Sequence, residues 1–333
     1  MELNIKDKKI LAELDLNARA TFQEIARKVK LSKESVIYRI KILEKKEIIK
    51  RYTTLVNFSK LGYAGYAVFN RFQNVDAKKK EEIINYLNTI PEIYWIALVG
   101  GKFDLVFGIM AKSITHFNKV YYQILNKFGN FIVDNAIEIR TELRQYRRSY
   151  LSEGRPEILK PPFFGKEQEI EKIDELDSNI LSLLSINARM AIINLTDSLR
   201  KPASTIALRI RQLEKRGIIQ GYSTYIRSQK YGMQSYRLML SLQNMDENIR
   251  SRIFSYVNHN KNCILAIESV GQWNFEITLE VENQEQLQKE ILDIRDQFKE
   301  FVKNIEFLIM FEDDLVYDPY PLRKNERKNQ FKS

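Results

Sequence analysis

The 333-residue chain has one cysteine, Cys263, and two histidines, His116 and His259. A single thiol excludes an internal disulfide framework and a cysteine-rich zinc site, since each needs several sulfurs around one point. The histidines have no acidic or cysteine partner at ligand spacing, so both read as surface or satisfied structural residues. No metal or cofactor is expected. Cys263 opens a predicted strand and reads as a small core residue. No run of about 18 apolar residues exists to span a bilayer. The start, Met1-Glu2-Leu3-Asn4, lacks the basic cluster and apolar stretch of a signal peptide. A cytoplasmic protein with no membrane partner is expected. Prolines number seven, and three of them, Pro156, Pro161 and Pro162, sit together, so 152–170 reads as a stiff extended linker.

Charge is unevenly spread. The net value is +10. By segment it is roughly +6 over 1–58, +5 over 59–155, +3 over 171–228 and −7 over 229–321, with a basic tail from Leu322. A polyanionic partner suits the basic segments, while the acidic one would be repelled by a phosphate backbone.

The chain can be laid on itself with Asp7 on Asp177 and no later slip in register. Asn17-Ala18-Arg19 then meets Asn187-Ala188-Arg189, Leu43-Glu44-Lys45 meets Leu213-Glu214-Lys215, and Gly101 meets Gly271. About 18 of the 56 positions from 7 to 62 are identical, well above chance for unrelated chains. Two copies at so long a period mean duplicated domains. The expected divisions are 1–58 and 171–228 as the first domain of each copy, 59–151 and 229–321 as the second, and 322–333 as a disordered basic tail.

In the first segment, Ile10, Leu11 and Leu14 predict a helix with Asp7 as N-cap. Thr21 and Glu24 form a capping-box pattern ahead of Phe22, Ile25, Ala26 and Val29. A third helix, 33–46, buries Val36, Ile40 and Leu43 and turns Glu34, Tyr38, Lys41 and Lys45 outward. Ile48, Ile49, Tyr52 and Leu55 predict a small β-hairpin, the wing of a winged helix. A tight break before the third helix predicts a helix-turn-helix that presents this helix to the major groove of double-stranded DNA. The candidate DNA contacts are Ser32, Lys33, Ser35, Tyr38, Arg39, Lys41 and Lys45, and in the second copy Ser204, Thr205, Arg209, Arg211 and Lys215. Arg39 and Arg209 lie at the edge of the buried stripe, where each either meets a phosphate or braces the wing. Pro202 replaces Ser32, and the outward faces differ between copies.

The second segment predicts βαββαβ, the order of a ferredoxin-like sandwich, with strands over 64–72, 93–99, 103–110 and 131–143 and helices over 76–88 and 113–128. The whole is an α+β chain: two copies of a winged helix-turn-helix followed by a ferredoxin-like domain. Val68, Trp95, Phe107 and Ile109 indicate an apolar second sheet face, most simply covered by the matching sheet of the other copy. At the hairpin, Gly101-Lys102-Phe103-Asp104 aligns with Gly271-Gln272-Trp273-Asn274, which by the motif alone reads first as a plain hairpin turn with a core aromatic and second as a turn whose amides can receive a carboxylate.

Asp7, Ile10-Leu11, Arg19, Leu31-Ser32, Val36, Arg39-Ile40, Leu43-Glu44, Ile48-Ile49, Tyr52, Leu61-Gly62, Gly101 and Phe103-Asp104 together resemble one subunit of the Lrp/AsnC regulator family. The second copy carries most of them, with Lys201-Pro202 for Leu31-Ser32 and Asn274 for Asp104. The resemblance implies a DNA-binding transcriptional regulator, not an enzyme, whose ferredoxin-like sheets dimerise face to face within one chain, with higher homo-oligomers open. It also implies an amino-acid effector site at Gly101, Phe103 and Asp104 and at Gly271, Trp273 and Asn274. Asp104 is expected to favour the first site, because only it offers a charge to an ammonium group. Two alternatives accompany this reading: an architectural DNA binder without effector, and a fused enzyme similar to the sirohaem decarboxylases. The latter implies histidine and arginine around a tetrapyrrole, which the hairpins do not carry.

Overall fold

The computed structural model describes residues 3–152 and 161–317. The first copy runs α1 (Ile5–Leu16), α2 (Phe22–Val29), α3 (Lys33–Lys45), β1 (Ile49–Val56), β2 (Ala64–Phe72), α4 (Ala77–Thr89), β3 (Ile93–Gly100), β4 (Leu105–Ala111), α5 (Ile114–Phe128) and β5 (Ile132–Gln145). A short strand, β6 (Phe163–Gly165), follows. The second copy repeats the order as α6 (Glu175–Ile186), α7 (Ile192–Leu199), α8 (Ala203–Lys215), β7 (Ile219–Ile226), β8 (Gln234–Leu242), α9 (Glu247–His259), β9 (Cys263–Val270), β10 (Phe275–Val281), α10 (Gln284–Gln297) and β11 (Val302–Tyr317). Among the described residues no helix is long and apolar enough to cross a membrane.

Local chemistry explains the heads. Thr21 and Glu24 close the expected capping box, Thr21 N donating to Glu24 at 2.7 Å and Glu24 N to Thr21 at 3.2 Å. Ser32 caps α3 by accepting from Ser35 N at 3.1 Å. Val36, Ile40 and Leu43 pack on Ile10, Leu11, Leu14, Ile25 and Val29. The first helix corrects an expectation: Asn4, not Asp7, caps α1, accepting from Asp7 N at 2.8 Å. One more turn of helix starts there, which places the Asp7 carboxylate inside the first turn and frees it to meet Arg39.

The expected wing hairpin is also corrected. β1 passes into a 3-10 turn at 58–61 and on to β2 without a return strand. Its partner is β7 of the other copy, paired antiparallel with Tyr52 opposite Thr224 and Thr54 opposite Tyr222. A lone strand must satisfy its edge amides somewhere, and the duplicate supplies an equivalent strand. The two heads therefore share one ribbon.

In each ferredoxin-like domain the strands lie in the order of fourth, first, third, second: β5-β2-β4-β3, and β11-β8-β10-β9. Helices α4 and α5 cover the outer face of the first sheet, and α9 and α10 that of the second. The two sheets join at both edges, through β3 with β11 and β5 with β9, so eight antiparallel strands close a ring. Closure leaves neither sheet with an open edge there. Strand β6, from the segment expected to be a linker, continues along the β5 edge where β2 leaves off, with Phe164 opposite Leu143.

The inner faces of the two sheets meet, burying Phe69, Trp95, Phe103, Val106, Met239, Trp273, Leu308 and Met310 together. Of the four residues expected on this face, only Trp95 is there; Val68, Phe107 and Ile109 point to the first domain's own helices. Strand alternation decides this, since neighbours Ala67, Phe69, Val106 and Met110 take the inner side. The expected tail, 322–333, lies outside the described residues, as does 153–160 of the expected linker.

Candidate functional site

Residues on α3 and α8 form the candidate nucleic-acid interface. Lys33, Tyr38, Lys41 and Lys45 are exposed on α3, and Ser204, Leu208, Arg211 and Lys215 on α8, while Ser35 and Thr205 are half-buried. Tyr38 is 67% exposed and Leu208 54% exposed, high values for large apolar-bodied side chains. Ser32 is spent on the α3 cap. Pro202 caps α8 without a side-chain hydrogen bond.

Arg39 and Arg209 are not free for phosphate. Arg39 Nη1 donates to Asp7 at 2.8 Å, and Arg209 bonds Asp174 at 2.8 Å and Asp177 at 3.1 Å. Each brace ties the recognition helix to the first helix of its own head, not to the wing. Two basic residues that periodicity passed over stand at the helix-turn-helix breaks: Lys30 and Arg200, both exposed, with φ of 54° and 51°. Their recurrence at equivalent positions of the two copies was a usable signal.

The heads are locked to each other by the motif most evident in the repeat. Arg19 Nη1 donates to Ala188 O at 2.6 Å, and Arg189 Nη1 donates to Ala18 O and, at 3.0 Å, to Ala20 O. Ala18 N donates to Tyr222 O and Ala188 N to Tyr52 O, both at 3.0 Å. Thr54 Oγ1 donates to Leu184 O at 2.7 Å and Thr224 Oγ1 to Leu14 O at 2.8 Å. These reciprocal bonds fix the spacing of α3 and α8 before any DNA arrives.

A second lock joins the first head to the second ferredoxin-like domain. Arg148 N and Nη1 donate to Asp15 at 2.8 and 3.0 Å, and its Nε and Nη2 donate to Glu280 at 2.9 and 3.1 Å. Tyr150 and Ser228 also donate to Glu280. All three charged groups are buried. Burial holds the Asp15 carboxyl above its ordinary value even beside Arg148.

At the hairpins, Phe103 and Trp273 are core residues, 2% and 1% exposed, in edge-to-face contact at 6.1 Å. Asp104 accepts from Phe72 N at 2.8 Å, and Asn274 accepts from Leu242 N at 2.6 Å. The two side chains thus make the same backbone brace, charged or neutral. Gly101 has φ +115°, a conformation that favours glycine. Around Gly271 the turn does receive a carboxylate, but it is the protein's own: Glu138 on β5 accepts from Gln272 N at 2.7 Å and Trp273 N at 3.4 Å. A Cβ on Gly271 would lie 2.3 Å from that carboxylate. Beside Gly101, the position equivalent to Glu138 in the other copy holds Leu308.

Burial, aided by the nearby Glu276 charge, pushes Glu138 up to about 7 against the hydrogen bonds it accepts. The fold then binds this proton more tightly than the unfolded chain does. The stability associated with the protonated form is fully present below pH ~4.5 and is lost as pH rises toward 7, an effect of at most about 3 kcal/mol that solvent screening reduces. Glu138→Gln keeps the acceptor and cannot ionise. Denaturant unfolding at several pH values is expected to show that this fall is absent in the variant; an unchanged pH profile would assign the fall to other groups.

His116 does have an acidic neighbour that spacing did not reveal, Glu92 at 3.3 Å, and His259 sits 2.7 Å from Ser255 O. Cys263 is buried at the start of β9, where burial raises its thiol pKa. Among the described residues no group of three His, Cys, Asp or Glu side chains can hold a metal ion.

A model of winged helix-turn-helix DNA-binding domains matches residues 3–50. The HTH-type transcriptional regulator Rv2324 of Mycobacterium tuberculosis is 34% identical over 114 residues, covering 34% of this chain and 76% of the relative. The HTH-type transcriptional regulator Ptr1 of Methanocaldococcus jannaschii is 29% identical over 141 residues, 42% of this chain and 92% of the relative. Over nearly the whole length, the chain is similar in fold to the siroheme decarboxylase NirDL, whose structure is known in complex with an iron-uroporphyrin III analogue. The TM-score there is 0.62, with 15% identity and coverage of 98% of this chain and 97% of that one. At that identity the likeness concerns architecture alone. The HTH-type relatives, the winged helix-turn-helix matched over residues 3–50 and the recurrence of that unit in the second copy place the chain in the Lrp/AsnC family of DNA-binding transcriptional regulators, as a tandem duplication of the family's unit.

Proposed function

We propose that the chain regulates transcription as a preassembled pseudo-dimer that reads two unlike half-sites on double-stranded DNA. The single observation that carries this reading is the β1–β7 ribbon with its reciprocal arginine locks, which holds two recognition helices in one fixed pair. Their outward faces differ: Tyr38, Lys41 and Lys45 on one, Leu208, Arg211 and Lys215 on the other. Unlike side chains select unlike base edges. A pair with fixed separation requires half-sites one helical turn, about 10 base pairs, or a multiple apart. In this reading a small-molecule effector acts through the sensor ring, and Gly101, Phe103, Asp104, Gly271, Trp273 and Asn274 shape and brace the ring around it.

Selection of bound sequences from a random DNA pool tests the reading. Enriched sites with two different halves at one preferred spacing are expected. A perfect palindrome would contradict unlike heads, and no enrichment over the input pool would remove sequence-specific regulation.

A further inference from the structure

Between the β1–β7 ribbon and the mouth of the sensor ring lies a cavity of about 160 Å³. Its walls include Phe58, Tyr94, Trp95 and Phe164, and three arginines, Arg140, Arg148 and Arg237, line it. A register shift in β3 between Ile93 and Trp95 turns both Tyr94 and Trp95 toward the ring interior. The Tyr94 ring lies where a Cβ on Gly108 would stand, 2.4 Å from it, so only glycine at 108 lets this wall form.

The cavity is charged on one side of the pseudo-dyad only. At the equivalent positions of the other copy, Arg140, Arg237, Glu138 and Glu276 are replaced by Met310, Ala67, Leu308 and Val106. Those counterparts belong to the apolar cluster between the sheets. Burying ions costs several kcal/mol each, and an apolar solution exists in the same molecule, so stability does not explain the charged half.

The polar groups of this half are also incompletely paired. Arg140 and Arg237 share one carboxylate, Glu276, at 3.5 and 3.3 Å. Arg140 Nη1 donates to Tyr94 Oη at 3.1 Å; its buried Nε and Nη2 have no hydrogen-bond partner, Nη2 reaching Glu276 only as the 3.5 Å ion pair, and the acceptors Glu138 Oε2 and Glu276 Oε1 are likewise without one. The two guanidiniums lie over Trp95 at 5.3 and 4.9 Å from the ring centre. Buried donors without acceptors are costly, and a carboxylate is the acceptor a guanidinium fork fits best.

We propose that this cavity binds one small carboxylate with an aromatic or apolar body per chain, its carboxylate held by Arg140 and Arg237 and its body against Trp95, Tyr94 and Phe164. The volume is below the roughly 300–1,000 Å³ of sites that enclose drug-sized ligands, which excludes a macrocycle. The ligand touches Thr53, Val56 and Thr224 of the ribbon as well as the ring, so it sits where a sensor can bear on the heads. This site rests on the effector part of the proposed function.

Calorimetric titration of the full chain with benzoate, phenylacetate and 3-phenylpropanoate, each beside its primary amide, tests the proposal. At least one acid is expected to bind at one site per chain, with its amide at least about tenfold weaker, because the amide cannot supply the charge-assisted pair. Arg140→Met, which copies the residue at the equivalent position, is expected to weaken the acid by a similar factor. Equal binding of acid and amide in the unaltered chain would overturn the proposal without relying on a variant. So would the lack of any saturable heat up to about 10 mM, weaker than any useful affinity, or uroporphyrin III binding that displaces every acid. DNA binding by the same preparation, followed in parallel, separates failure of this site from failure of the regulator reading.

Discussion

Arg148→Met is expected to lower unfolding stability by about 3–5 kcal/mol, because it strands two buried carboxylates, Asp15 and Glu280, that share this one guanidinium. Methionine fills much of the same volume, so the loss reflects charge and hydrogen bonding more than a cavity. Asp15 lies on α1 of the first head, Glu280 on β10 of the second ferredoxin-like domain, and Arg148 just after β5. The loss should therefore appear as looser docking of the heads as well as a lower denaturation midpoint. Lys102→Met provides the contrast. Its partner Glu306 is 3.5 Å away and the pair is about one third exposed, so the change should stay within about 1 kcal/mol. Denaturant unfolding of both variants checks the expectation. A loss below about 1 kcal/mol for Arg148→Met would mean that neither carboxylate depends on it.

The affinity for DNA is expected to fall steeply with salt, with a log-log slope of about −0.9 for each phosphate neutralised. Lys41→Ala with Lys45→Ala should weaken binding and make that slope shallower by about 2 if both meet phosphates. Among the described residues neither lysine has an ion-pair partner, so their charge is available to DNA. Arg39→Ala should behave differently. Its guanidinium is engaged by Asp7, so its loss should appear in stability of the first head before it appears in the salt slope. Fluorescence anisotropy of a labelled site at several salt concentrations measures all three. A salt-independent affinity, or an unchanged slope in the double variant, would remove the recognition helix from the interface.

Much of the fold was legible because it is written in short-range patterns. The capping box at Thr21 and Glu24, the buried stripe Val36, Ile40 and Leu43, and the βαββαβ order each depend on residues within a turn or a strand of one another. The repeat then carried these readings from one copy to the other. The Asp7 cap failed on a local point: Asn4 starts the helix one turn sooner, and the carboxylate is drawn to Arg39. Sheet faces were misread at Val68, Phe107 and Ile109, since both faces are apolar and alternation alone cannot say which one meets the helices.

By itself the sequence determined two copies of a DNA-binding unit, the outward residues of each recognition helix and the charge contrast between the halves. Only the tertiary structure decided what the strand after α3 pairs with, why Asn-Ala-Arg occurs twice, and where the charged half of the strand ring gathers. The reason is separation along the chain. Helices and turns are set by neighbours three or four residues away, whereas Arg19 meets a carbonyl 169 residues on, and Arg148 a carboxylate 132 residues on. No periodicity spans such a gap. These contacts come into being when the two copies close on each other, and with them comes a cavity that neither copy carries alone.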